Sequence, residues 1–230
     1  MQHSIPRHLH HIWWSWDKGG IFFPTDTGPP TAGHATAWQR LHPDYAYTLW
    51  RRAASFDFVA AYYPQRHAQF THYEWHIQRC DMFRLLVLHH MGGIYGDIDL
   101  VPAAHLDGLW QRHPNAGLIL ATETELTAER VAATAAYPVR QGIAEHPLRL
   151  ANYWLAARPG HPLLQQMLDL MQSRAHLPVK TKYDILYTTG PDVVTTAVHA
   201  HAQHYDDVVI LPMAEADRYF VHERAGSWRF

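Results

Sequence analysis

Hydrophobic and polar positions along this chain switch between a period of about two residues and one of about three and a half, which outlines strands interleaved with helices. Leu9 to Trp14 reads as a first strand ending in the aromatic cluster Trp13, Trp14 and Trp16. A loop rich in Gly, Pro and Thr follows from Asp17 to Pro30, long enough to be functional rather than a plain connection. Ala35, Trp38 and Leu41 recur at helical spacing, His42-Pro43-Asp44 stops that helix, and Tyr45 to Trp50 alternates as a second strand. Ala53 to Tyr63 predicts a short helix ended by Pro64. Thr71 to Met91 predicts the longest helix, with Trp75, Met82, Phe83, Leu86, Val87 and His90 as one buried stripe.

Gly92 and Gly93 close that pattern with a left-handed cap and release the chain into a short strand carrying Asp97 and Asp99. Alternation across a strand places Tyr95, Asp97, Asp99 and Val101 on one face, with Ile94, Ile98 and Leu100 turned to the core. Two hard carboxylate ligands so placed suit Mg2+ or Mn2+. An Asp-x-Asp alone arises by chance in roughly every second chain of this size, so its surroundings decide.

Downstream, Gly117 to Thr122 and Leu148 to Ala157 read as strands, and Pro159, Gly160 and Pro162 mark a turn. Leu163, Leu164, Met167, Leu168 and Met171 define an amphipathic helix. Gly190-Pro191-Asp192 opens another, through about Gln203. Val208 to Leu211 is a late strand, and the tail from Tyr219 to Phe230 holds His222, Ser227 and Trp228. The alternation predicts an α/β fold, with a mixed central sheet flanked by helices, as one domain over residues 1–230.

With 230 residues, 47% of them hydrophobic, the chain buries a sizeable core unaided. A formal charge of -2 and no basic stripe exclude a nucleic-acid partner held through phosphates. The single cysteine, Cys80, excludes an intramolecular disulfide and a Cys-rich zinc site, and points to a reducing, cytoplasmic setting. No charged-then-apolar leader is expected at the N-terminus. The apolar run Leu85 to Leu88 is far too short to cross a bilayer, so any membrane association is expected to be peripheral. Most of the 20 histidines are read as surface or core residues rather than ligands.

Several blocks in order carry a family resemblance. They are Ile5-Pro6-Arg7-His8-Leu9-His10-His11-Ile12-Trp13; Trp38 to Trp50 around His42-Pro43-Asp44-Tyr45; and Cys80-Asp81-Met82-Phe83-Arg84 with Gly92-Gly93-Ile94-Tyr95-Gly96-Asp97-Ile98-Asp99. Asn152, Pro159-Gly160-His161-Pro162, Thr189-Gly190-Pro191, and His222 with Ser227-Trp228 follow. Together they resemble the glycosyltransferases whose sugar-binding region contains an Asp-x-Asp motif. That family includes initiating mannosyltransferases and capsule enzymes and is related to the catalytic domains of large glucosylating toxins. Cys80 and Gly96 depart from the usual pattern.

The resemblance implies a GT-A fold that transfers a sugar from a UDP- or GDP-sugar to a saccharide or lipid-linked saccharide, with retention, as in polysaccharide biosynthesis. It implies Mn2+ or Mg2+ on Asp99, with Ser227 and His222 completing the shell, and Asp97 acting through water or on ribose and sugar. Asp81 would accept from sugar hydroxyls, Arg84 would fix a hydroxyl or phosphate, Trp13 would stack on the base, Asn152 would touch donor or acceptor, and Trp228 would donate to a phosphate oxygen. From spacing alone, Asp81 and Arg84 equally make a surface ion pair. A toxin-like transferase acting on a host protein, a non-catalytic carbohydrate-binding module and a metal-dependent phosphohydrolase are the competing readings. Gly92-Gly93 breaks the apolar strand the last of these needs.

Overall fold

The computed structural model describes residues 4–14, 34–135 and 146–223. The loop from Asp17 to Pro30, Trp16, Ser227 and Trp228 lie outside those residues. The chain builds a six-stranded sheet in the order β2-β1-β3-β6-β5-β7, where β1 is His8–Ile12, β2 Ala46–Trp50, β3 Gly93–Gly96, β5 Leu118–Glu125, β6 Leu148–Ala157 and β7 Val208–Leu211. Only β6 runs against its neighbours in this sheet. A separate two-stranded ribbon joins β4 (Leu100–Pro102) to β8 (Phe220–His222).

Period-two alternation divides the interior into two layers. Leu118, Leu120 and Leu155 face one apolar cluster, where α4 (His76–Met91), α7 (Pro162–Arg174) and α9 (Pro191–His201) supply Phe83, Leu86, Met167 and Val194. Ile119, Ala121, Trp154 and Ile94 face the other, with Trp38 of α1 (His34–Leu41), Leu109 of α5 (Asp107–Arg112) and Phe220. The α/β architecture expected from the sequence is therefore present, with a mixed sheet between helical layers.

Three local readings change. Pro64 ends α2 (Arg52–Tyr62) but also occupies the first turn of a further helix, α3 (Pro64–His72), because the N–H it lacks is unused at that position. The long helix consequently starts at His76, and Trp75 caps it from outside. It carries no single stripe: Cys80 to Leu88 is buried on every side, whereas His90 is exposed. Short helices α6 (Ala128–Ala135), α8 (Lys182–Thr188) and α10 (Met213–Ala216) complete the fold.

The third change concerns the aspartates. β3 stops at Gly96, and Asp97 to Asp99 form a turn in which the Leu100 N–H donates to the Asp97 carbonyl at 3.1 Å. A continuous strand with both carboxylates on one face is thus replaced by a strand end and a turn. The glycines before it are required by geometry. Gly92 has φ 66° and ψ -164°, a region open to glycine rather than an ordinary left-handed cap. At Gly93, with φ 102°, an added Cβ would lie 2.5 Å from the His8 carbonyl oxygen.

Candidate active site

The sharp turn at Gly92-Gly93 makes α4 and β3 run back to back. Counting from Gly92, Arg84 lies roughly 12 Å back along the helix, at 1.5 Å per residue, and Asp97 roughly 16 Å forward along the strand. The two residues therefore stand level at the C-terminal edge of β3. The chain leaves β1 for β2 on one side and returns to β3 on the other, so this edge is also where the strand order reverses, the usual crevice for a ligand in an open α/β sheet.

At the centre is a buried charge cluster. Asp81 and Arg84 are each 3% exposed, which removes the surface ion pair from consideration. Arg84 reaches Asp81 Oδ1 at 3.0 Å through Nη2 and Asp97 Oδ1 at 3.1 Å through Nη1. It also donates to the carbonyls of Asn152 at 2.6 Å and Cys80 at 3.4 Å, and its guanidinium lies 4.7 Å from the centre of the Tyr95 ring. Asp81 accepts from Asn152 Nδ2 at 2.9 Å and, on its other oxygen, from Thr189 Oγ at 3.0 Å. Both Asp81 oxygens and all three Arg84 nitrogens thus have protein partners.

Burial pushes the Asp81 carboxyl up to about 7, against the pull of Arg84, Thr189 and Asn152. Asp97 is likewise raised by burial and by Asp99, with Arg84 opposing. Burial works against the Arg84 charge, but Asp97, Tyr95 and Asp81 outweigh it and hold the guanidinium protonated.

In front of this cluster the Asp-x-Asp turn opens toward solvent. Tyr95 donates its hydroxyl to Asp97 Oδ1 at 2.5 Å, so one oxygen of Asp97 is shared between Tyr95 and Arg84. β8 brings in the third group. Its antiparallel register sets His222 opposite Leu100, the Glu223 N–H donates to the Asp99 carbonyl at 3.1 Å, and His222 Nε2 lies 3.3 Å from Asp99 Oδ2. Asp97, Asp99 and His222 each offer one ligand atom, all within 4.8 Å of one another. The buried Nδ1 of His222 has no hydrogen-bond partner. Two carboxylates and an imidazole so placed fit a small divalent cation. A second acidic group, Asp44, His105 and Asp107, already holds a protein cation, since Arg7 lies 3.3 Å from Asp44 and 2.8 Å from Asp107.

Of the residues expected from the sequence, the structure brings together Asp81, Arg84, Asp97, Asp99, Asn152 and His222. Trp13 sits just past β1 at the same sheet edge, with its backbone N–H on the Trp50 carbonyl at 3.0 Å and its ring buried. Sequence reasoning missed Tyr153, whose carbonyl accepts from the Asp97 N–H at 2.8 Å and whose ring lies 4.0 Å from that of His222. It also left Thr189 unassigned. Strand alternation at 152–153 was the available signal: Asn152 and Tyr153 serve opposite sides of the same turn.

Comparison with known proteins agrees with this geometry. Residues 31–116 match the family described as glycosyltransferase sugar-binding region containing DXD motif, a span that includes Asp81, Arg84, Asp97 and Asp99. The chain is 30% identical over 156 residues to inositol phosphoceramide mannosyltransferase 3 of Schizosaccharomyces pombe, which is 66% of this chain and 35% of that protein. It is 26% identical over 238 residues to inositol phosphoceramide mannosyltransferase 2 of the same organism, at 97% and 58% coverage. The chain thus spans about a third to three fifths of those relatives. Among solved structures, the ligand-free glycosyltransferase domain of the YGT toxin superposes with a TM-score of 0.56 at 10% identity, covering 91% of this chain and 80% of that one. That likeness assigns the fold as GT-A.

Proposed function

We propose that the chain, whose residues 31–116 match the glycosyltransferases with a DXD-containing sugar-binding region, transfers a sugar from a nucleotide-sugar to a saccharide or glycolipid acceptor with the aid of Mn2+ or Mg2+. The observation that carries the reading is the convergence of Asp97, Asp99 and His222 within 4.8 Å directly in front of the buried Asp81–Arg84 pair. The mannosyltransferase relatives, named for an inositol phosphoceramide, favour a glycolipid or saccharide acceptor over a host protein. Among the described residues no helix is long and apolar enough to cross a membrane.

Each residue follows from its surroundings. A bound divalent ion would stabilise the charge developing on the departing diphosphate as a Lewis acid and template. Asp99 is the better direct ligand, because Asp97 already shares an oxygen with Arg84 and Tyr95, leaving its other oxygen for water, ribose or sugar. Arg84 holds Asp81 and Asp97 in register from behind, and Asn152 fixes Asp81. Trp13, at the neighbouring strand end, would meet the base, and Ser227 and Trp228 of the tail would serve the metal and a phosphate oxygen.

Retention then follows by attack on the face the diphosphate leaves. The acceptor oxygen bonds to the anomeric carbon as its bond to phosphate oxygen breaks, and the acceptor proton passes to that phosphate. Asp81, with both oxygens hydrogen-bonded in the protein, is not the nucleophile of a double displacement.

The test is a thermal-shift screen of UDP- and GDP-sugars with and without Mn2+, on the wild type and Asp99→Asn. A nucleotide-sugar that raises Tm only with metal, and only in the wild type, is the expected result, since a ligand that binds the folded state stabilises it by mass action. Equal shifts in the variant, or transfer that survives excess EDTA, overturn the mechanism.

A further inference from the structure

At the opposite edge of the sheet from Asp97, the C-terminal end of α4 meets the end of α2 and the turn after β6. An open cavity of about 540 Å³ lies there, lined by Tyr62, Tyr63, His89, His90, Pro159 and Gly160. Its size falls within the roughly 300–1,000 Å³ of small-ligand pockets. The turn is pinned by the Gly160 N–H, which donates to the His89 carbonyl at 2.7 Å. A Cβ at Gly160 would meet nothing within 4 Å, so this wall stands open.

The lining states the chemistry of what would fit. It contains no Asp, Glu, Lys or Arg, so no permanently charged side chain lines it, although Arg66 acts on His89 and Tyr63 from nearby. Tyr62 is 54% exposed, and its ring packs 4.2 Å from that of His90 and 4.9 Å from that of Phe58 between centroids. That is a supported aromatic platform left open to solvent. Beside it the Tyr63 hydroxyl donates to the Leu86 carbonyl at 3.3 Å and lies 2.7 Å from His89 Nδ1. With its proton so placed, the Tyr63 oxygen accepts from Nδ1–H, and Nε2 is the acceptor the neutral imidazole has left. Flat apolar rings bordered by hydroxyl and imidazole edges match a sugar, which offers a C–H face for stacking and hydroxyls around its rim. A hydrocarbon chain would leave those edges unanswered.

We infer that this cavity is a second saccharide-binding subsite, remote from the aspartates, that takes a neutral oligosaccharide. In its use it rests on the transferase reading: the two edges lie at least the length of β3 apart, roughly 13 Å, so an acceptor held here would have to be several sugars long for its end to reach the Asp-x-Asp turn.

The experiment is saturation-transfer NMR with α-linked manno-oligosaccharides from two to six units and, in parallel, malto-oligosaccharides, added to wild type, Tyr62→Ala, Tyr62→Phe and Asp99→Asn. Saturable binding to one series is expected, weakened about tenfold or more in Tyr62→Ala, which equals a loss of about 1.4 kcal/mol, and retained in Tyr62→Phe and Asp99→Asn. Equal Tm values for the Tyr62 variants exclude unfolding as the cause. No binding of either series to the wild type overturns the subsite, as does binding unchanged in Tyr62→Ala or lost in Asp99→Asn. Metal-dependent nucleotide binding, read separately by thermal shift, tests the transferase reading itself, so either idea can fail alone.

Discussion

Replacing Arg84 by Met tests whether the charge cluster behind the aspartates holds the site together. The substitution removes ion contacts of 3.0 and 3.1 Å to Asp81 and Asp97 and hydrogen bonds to the Asn152 and Cys80 carbonyls. Asp81, 3% exposed, would keep Asn152 and Thr189 but lose its one ion partner among the described residues. Breaking a buried pair from one side costs about 3–5 kcal/mol, because the remaining charge is stranded away from water. The raised Asp81 carboxyl softens this, since it takes up a proton with little effort near neutrality, which puts the expectation at the lower end, about 3 kcal/mol. For a protein of this size that is a fall in Tm of roughly 6–12 °C. Urea denaturation at pH 7.5 measures it directly. Arg84→Met combined with Asp81→Leu should recover part of the loss, because both partners are then apolar. A Tm within 2 °C of wild type for the single variant would refute the reasoning, as would a double variant no more stable than Arg84→Met alone.

Other outcomes follow from the same geometry. Tyr153→Leu removes the ring lying against His222, a contact worth about 0.5–1.5 kcal/mol, so Mn2+ affinity measured by EPR should fall about 2- to 10-fold, with Tyr153→Phe near wild type. Gly93→Ala forces a Cβ to 2.5 Å from the His8 carbonyl at φ 102° and should cost at least about 2 kcal/mol in chemical denaturation. Burial holds the His11 imidazole down to about 4. A lowered folded pKa makes its contribution full above about 6.5 and lost as the pH falls toward 4, so the wild type should lose about 2 kcal/mol more than His11→Phe between pH 6 and 4.5.

The chain's periodicity revealed β6 and β7 to the residue and β1 and β2 to within two, because each is a compact apolar run bounded by turn residues. It failed where burial is complete. Between Cys80 and Leu88 no polar face exists to give a helix its stripe, so the two charged residues there read as ordinary surface ions, and only the family pattern raised them to the site. The Asp-x-Asp misled in the opposite direction: alternation predicted a continuous strand, yet the chain turns at Asp97. A continuing strand would have left Asp97 level with Arg84 but carried Asp99 roughly 7 Å farther on. The turn instead folds Asp99 forward to His222 while Asp97 stays against Arg84, so the same two residues face different chemistry. That division depends on β8, which pairs with β4 from more than a hundred residues away. No local signal encodes such a pairing. The functional residues sequence could name are therefore those whose identity carries the chemistry, and those it missed, Tyr153 above all, act by where the sheet puts them.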